Sequence, residues 1–149
     1  PWIVCAEAAL GHGDAAFDIY RRICPAYLEE KSEIHETEPY CYAQTVTGRA
    51  SGAPGHAKNS WLTGTASWTF LSVSQAILGV FPDYDGLRVR PCVPESWQEY
   101  TVFRKFRGCR YTIHVRRTGV HSLAVDGKAL TGDLVPISTK NECAVEVTL

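Results

Sequence analysis

The sequence contains no methionine, and none of its apolar runs approaches the length of about 20 residues that a membrane-spanning helix needs. No basic stretch followed by an apolar core opens the chain, so no signal peptide is visible. The chain starts on Pro1 without an initiator, and we therefore expect a piece of something longer. No Cys-x₂-Cys or His-x₃-His spacing occurs among the 6 cysteines and 5 histidines. A zinc site is thus not expected, and no metal is assigned. The cysteines, at 5, 24, 41, 92, 109 and 143, follow no tight framework, and a chain with an adequate apolar core needs no staples. We expect reduced thiols in a cytoplasmic protein.

What is present suits a folded domain. At 45% hydrophobic and 21% charged, the chain can bury a core and is not disordered. Net charge is -1 but is unevenly placed. Residues 86–118 carry eight basic side chains (Arg88, Arg90, Arg104, Lys105, Arg107, Arg110, Arg116, Arg117) against Glu95 and Glu99, a balance of +6. Residues 1–85 carry five basic against ten acidic, a balance of -5. Such asymmetry suggests two structural units and raises the question of an anionic partner.

Hydrophobic periodicity agrees with two units. Trp2 to Leu10 reads as a short helix ended by Gly11-His12-Gly13. Asp14 suits an N-cap for a second helix, with Phe17, Tyr20 and Cys24 on one face and Pro25 closing it. Residues 29–38 read as an exposed acidic linker, and residues 47–55 as a loop. Ala66, Phe70, Val73 and Ile77 form an apolar stripe of period 3.6, with Gly79 in the C′ position. After Pro82 the period becomes two. Tyr111, Ile113 and Val115 alternate with Arg110, Thr112, His114 and Arg116, and Val145, Val147 and Leu149 alternate again. Asp126-Gly127 marks a tight hairpin. The fold class is α+β, with helices over residues 1–81 and an antiparallel β domain over 82–149.

The segment with most chemical content is Asn59-Ser-Trp-Leu-Thr-Gly-Thr-Ala-Ser67. Thr63 and Gly64 immediately precede the predicted helix. A helix start offers unpaired N–H groups and a partial positive charge, so it attracts anions. Gly64 allows close backbone approach, and Thr63 and Thr65 add hydroxyls. Local chemistry alone favours a plainer role, because capping threonines far outnumber phosphate sites.

Several segments in order shift that balance: PWIVCAEAALGHGDAAFDIYRRICP, EPYCYAQ, HAKNSWLTGTASW, ILGVFPDYDGLRVRPCVPESW and FRKFRGCRYTIHV. Together they resemble the C-terminal part of the inverting β-glycoside phosphorylases, the cellobiose phosphorylases and their relatives. The resemblance covers roughly residues 1–117 and fades in the last thirty. It implies the last helices of an (α/α)6 barrel followed by an antiparallel β-sandwich. It implies phosphate binding at Thr63 and Gly64 and a donor-sugar contact at Gln44. It places a phosphate-site histidine, the general-acid aspartate and the phosphate-binding arginines upstream of Pro1, so no catalytic residue is assigned here and the piece alone is expected to be inactive. The implied reaction converts cellobiose and phosphate to α-glucose 1-phosphate and glucose. The implied co-substrate is inorganic phosphate, with no organic cofactor, and the parent would be a homodimer.

Glu29, Glu30, Glu33, Glu36 and Glu38 cluster as a solvated face does, and Asp83 and Asp85 flank Tyr84 as turn residues do. The basic aromatic stretch around Phe103, Phe106 and Tyr111 suits RNA, but its alternation suits a half-buried strand that complements the acidic first half better. Trp61, Trp68 and Trp97 could stack on sugars in a noncatalytic carbohydrate-binding module. Neither nucleic acid nor membrane is expected as a partner.

Overall fold

The computed structural model describes all 149 residues, which form two compact units, 1–73 and 74–149. This division falls before the 81/82 boundary read from the sequence, within a helical segment rather than after it. No helix is long and apolar enough to cross a membrane.

In the first unit, helices α1 (Trp2–Ala9) and α2 (Gly13–Ile23) pack on each other. The turn between them is a Schellman motif: His12 N–H donates to Glu7 C=O at 2.9 Å and Gly11 N–H to Ala8 C=O at 3.1 Å. Helix α2 begins at Gly13 with His12 as its cap, so Asp14 is not the N-cap expected from its type. It stands in the first turn, where a carboxylate complements the helix dipole. Pro25 opens a 3₁₀ turn, Pro25–Tyr27. Residues 29–38 are less irregular than expected of a linker. They hold a 3₁₀ turn, Glu29–Lys31, and a one-turn helix α3 (Ser32–His35), closed by Glu36 at φ 56°. Strands β1 (Thr45–Val46) and β2 (Ala57–Lys58) pair antiparallel around the loop 47–56, with Thr45 opposite Lys58.

Helix α4 (Thr65–Leu71) runs on into a π-helical turn, Ser72–Ile77. The outcome for the apolar stripe differs from the expectation. Of its four members only Ile77 is buried, and Phe70 is 65% exposed. Ala66 and Phe70 stand in α4 itself, ahead of the π turn, so α4 turns the other side of its surface inward. The buried face presents Thr69 and Ser72 instead. Both hydroxyls are satisfied by helix carbonyls, Thr69 to Thr65 and Ser72 to Thr69, each at 2.8 Å, and such bonding permits burial.

The second unit is a two-sheet β structure. Strands β3 (Val80–Pro82), β4 (Gly86–Val89) and β9 (Leu134–Pro136) form one sheet in the order β3-β4-β9. Strands β5 (Glu99–Phe106), β6 (Cys109–Arg116), β7 (Ser122–Val125), β8 (Lys128–Leu130) and β10 (Glu142–Thr148) form the other, in the order β5-β6-β10-β7-β8. All pairs are antiparallel except β6–β10, which is parallel, so the larger sheet is mixed rather than purely antiparallel. The alternation in β6 and β10 gives each strand one buried face. Leu87, Val89 and Val135 from the small sheet meet Tyr111, Ile113 and Val145 from the large one in a single core. Tyr111 spans the sheets: its hydroxyl accepts from Ser138 N–H at 3.1 Å and lies 3.5 Å from Pro136 C=O. Asp126 and Gly127 turn the β7–β8 hairpin with φ of 48° and 78°, the conformation that dipeptide selects.

Candidate functional site

The basic segment distributes its charge within its own unit. Arg88 is clamped by Asp83 at 2.5 Å and Asp133 at 2.7 Å. Arg110 pairs with Glu142 at 3.3 Å and Arg116 with Glu146 at 3.1 Å. Arg117 donates to the carbonyls of Trp97 and Pro94. Four of these acids lie outside residues 86–118 but inside the second unit. Three of the eight basic side chains, Arg88, Arg110 and Arg116, are therefore ion-paired within the second unit. The Asp83 carboxyl is held below the usual carboxylate range by its bond to Arg88.

The first unit gathers the sequence-derived site residues. Gly64 caps α4 at φ -78°, ψ 0°, and Thr65 is its first helical residue. Thr63 Oγ1 accepts from Thr65 N–H at 3.0 Å and lies 2.7 Å from Thr65 Oγ1. The first bond of the α4 ladder is Trp68 N–H to Gly64 C=O at 3.0 Å. The turn opens on a cleft of about 400 Å³ lined by Pro1, Trp2, Ile3, Thr63, Gly64 and Trp68, with Thr65 at its edge. Trp2 and Trp68 meet edge to face across it, with centroids 5.7 Å apart. Nothing inside the chain demands glycine at 64. Its φ is ordinary, and a Cβ there meets only Trp68 Cδ1 at 3.9 Å.

Gln44 lines a second cleft of about 390 Å³ with Ile23, Ile34, Tyr42 and Ala43 among its walls. Pro1 and Thr65 line both clefts, so Gln44 and the Thr63–Gly64 turn face adjoining spaces. Gln44 sits just before β1, and its N–H donates to Lys58 C=O at 3.1 Å, which ties it to the β1–β2 ribbon.

Three features were not singled out from the sequence. Asn59 Nδ2 donates to Gln44 Oε1 at 3.0 Å. Trp61 Nε1–H donates to Glu38 Oε1 at 2.9 Å, and that bond holds the Glu38 carboxyl below the usual range. Tyr40 lies edge-on to Trp61, with centroids 6.1 Å apart. The acidic cluster is thus not a uniform solvated face, since Glu38 ties the EPYC segment to the SWLTGT segment. The third feature is a phenol–thiol group around Cys24. Burial, then contact with Cys24, pushes Tyr20 up to about 12, and the same causes raise Tyr42 further. Both phenols stay neutral at physiological pH and offer O–H donors rather than bases. Asn59 and Trp61 lie inside a motif already noted, yet only the folded chain reveals whom they meet. All six cysteines are free thiols, and no group of three or more His, Cys, Asp or Glu side chains is placed to hold a metal.

A helical first unit carrying this cleft pair is followed in the chain by a two-sheet β unit. Residues 1–79, more than half of the chain, match the glycosyl hydrolase 94 superfamily, catalytic domain. Residues 82–132 match the glycosyl hydrolase family 65, C-terminal domain. The chain belongs to the glycosyl hydrolase 94 superfamily. It is 37% identical over 139 residues to solabiose phosphorylase of Paenibacillus borealis, covering 90% of this chain and 18% of that protein. It is 36% identical over 151 residues to N,N'-diacetylchitobiose phosphorylase of Vibrio furnissii, covering 97% of this chain and 19% of that protein. It is 30% identical over 151 residues to 3-O-beta-D-glucopyranosyl-beta-D-glucuronide phosphorylase of Paenibacillus borealis, covering 97% of this chain and 20% of that protein. The chain thus spans about a fifth of the length of the curated relatives it matches.

Proposed function

We propose that this chain supplies part of the phosphate and donor-sugar site of an enzyme that cleaves a β-linked disaccharide by inverting phosphorolysis. The observation that carries the reading is the pair of adjoining clefts, one lined by Thr63 and Gly64 and the other by Gln44, with Pro1 and Thr65 common to both. In this reading the Thr63 hydroxyl and the N–H groups at the start of α4 receive a phosphate oxygen. Thr63 Oγ1 accepts from Thr65 N–H, and with Thr65 Oγ1–H donating across their 2.7 Å contact the Thr63 O–H is left for the phosphate. Gly64 keeps the backbone bare where the anion approaches. Gln44 holds a hydroxyl of the sugar whose C1 is attacked. Phosphate is already a nucleophile and needs positioning and charge compensation rather than a base. It attacks C1 from the face opposite the leaving oxygen, which takes a proton from an acid outside this chain, as in inverting glycoside hydrolysis with phosphate in place of water.

The names of the relatives support a disaccharide and phosphate as the substrates. The proposal takes cellobiose as the disaccharide, giving α-glucose 1-phosphate and glucose, and N,N′-diacetylchitobiose is the competing substrate in the assay. It involves no organic cofactor, metal, nucleic acid or membrane. It places the parent protein in the cytoplasm as a homodimer, and it leaves the isolated piece inactive.

The test is to incubate the full-length protein with each disaccharide, with and without phosphate, and to follow the anomeric proton by NMR. The reading expects an α-configured sugar 1-phosphate that forms only when phosphate is present. Phosphate-independent release of free sugar, or a β-phosphate, would overturn it.

A further inference from the structure

We infer that Asn59 is a positioning residue that fixes which end of the Gln44 amide faces the sugar. This rests on the reading of Gln44 as a donor-sugar contact. Three observations converge on Asn59. First, the β1–β2 ribbon pairs Val46 with Ala57 and ends at Thr45 opposite Lys58, so Gln44 and Asn59 are the next residues on its two sides, and Gln44 N–H donates to Lys58 C=O at 3.1 Å. Second, Asn59 Nδ2 donates to Gln44 Oε1 at 3.0 Å. Third, Asn59 has φ 57°, a left-handed backbone that asparagine tolerates and most side chains avoid.

The consequence is chemical. A primary amide carries an acceptor at one end and two donors at the other, and rotation about its last bond exchanges them. With Oε1 occupied by Asn59, the Gln44 Nε2 hydrogens are the end left for the cleft. Gln44 then meets a sugar oxygen as a donor, so the sugar hydroxyl it touches acts as an acceptor in that bond. An unrestrained amide would present either end and would lose part of its discrimination. The left-handed turn at 59 also lies five residues before Gly64, so one short segment places the sugar amide and the anion turn together.

The substitutions that test this spare the backbone. Asn59→Gly accepts φ 57° and removes the amide. Asn59→Asp also tolerates the conformation but offers only acceptors, which turns the Gln44 donors inward and leaves Oε1 in the cleft. In the full-length enzyme, Asn59→Gly is expected to lower kcat/KM for the disaccharide roughly tenfold, the size of one hydrogen bond's contribution. Asn59→Asp is expected to lower it at least as much. The KM for phosphate and the melting temperature should stay near wild type in both. Gln44→Ala and the double variant Gln44→Ala/Asn59→Gly should agree within about twofold, because Asn59 acts only through Gln44.

If Gln44→Ala lowers kcat/KM but Asn59→Gly does not, or if the two losses add, Asn59 does not position Gln44 and the inference falls alone. If Gln44→Ala itself leaves disaccharide kinetics unchanged, the sugar reading of Gln44 falls and takes the inference with it. A loss in Asn59→Gly confined to thermal stability or to phosphate KM would also overturn it.

Discussion

Residues 74–149 close a core around Leu87, Tyr111, Ile113 and Val145, whereas residues 1–73 bury no hydrophobic side chain larger than Val4. The same first unit exposes Trp2, Ile3, Leu62 and Phe70, and Leu62 is 81% accessible. An apolar surface of that extent is what an interface presents to another surface, not what a finished domain presents to water. The β unit is organised for its own stability, and Arg88, Arg110, Arg116 and Lys140 find acid partners inside it. The helical unit keeps its aromatic and polar groups at clefts. Structural self-sufficiency and chemical content therefore lie in different halves of the chain.

Separating the halves would break the comparison most directly. Expressed alone, residues 74–149 should melt in one cooperative transition followed by far-ultraviolet circular dichroism. Residues 1–73 alone should show a shallow, non-cooperative change. A sharp transition in the helical piece would contradict the contrast.

The next effect sharpens the β side. Gly79 has φ 70°, and a Cβ there meets Arg90 C and O at 2.2 Å and Pro91 N at 2.4 Å, all of them backbone atoms. Gly79→Ala combines a left-handed penalty with overpacking, a loss of about 2–5 kcal/mol of the stability of the β unit. Chemical denaturation of residues 74–149 measures it.

Gly64→Ala provides the opposite case on the helical side. The added methyl meets only Trp68, at 3.9 Å, and otherwise enters the cleft. Stability should hardly change. The KM for phosphate in the full-length enzyme should rise, by about 5- to 150-fold if one or two charge-assisted hydrogen bonds worth about 1–3 kcal/mol are lost.

The smallest effect is electrostatic. Asp83 titrates below its ordinary value in the folded unit because of Arg88. Its contribution is present above the unfolded carboxylate value of about 3.9 and is lost as pH falls through the lower folded value. The melting temperature of residues 74–149 should decline below about pH 4, and Arg88→Ala should flatten that decline.

The period-two segments declared the β unit, because each strand has one dry face and alternation records it directly. The parallel β6–β10 pair was not legible, since alternation carries no information about strand direction or neighbour order. In the helical unit the stripe at Ala66, Phe70, Val73 and Ile77 misled for a physical reason. The buried face uses Thr69 and Ser72, whose hydroxyls bond to the helix carbonyls, so an apolar count does not find it. Asp14 stands two positions past the true cap, His12, because a Schellman turn sets the start of α2 at Gly13. Thr63, Gly64 and Gln44 could be marked from sequence, because the first two precede a helix and all three fall in recognisable motifs. The partners Asn59 and Glu38 could not, because contacts between segments distant in sequence appear only once the chain is folded.

The central claim is that the turn at Thr63 holds phosphate. Steady-state kinetics of the full-length enzyme carrying Thr63→Val, with phosphate varied at saturating disaccharide, address it most directly. The account predicts a phosphate KM raised by about 5- to 150-fold, from the loss of about 1–3 kcal/mol when the hydroxyl donor goes, with disaccharide KM little changed. A phosphate KM equal to that of the wild type would contradict it.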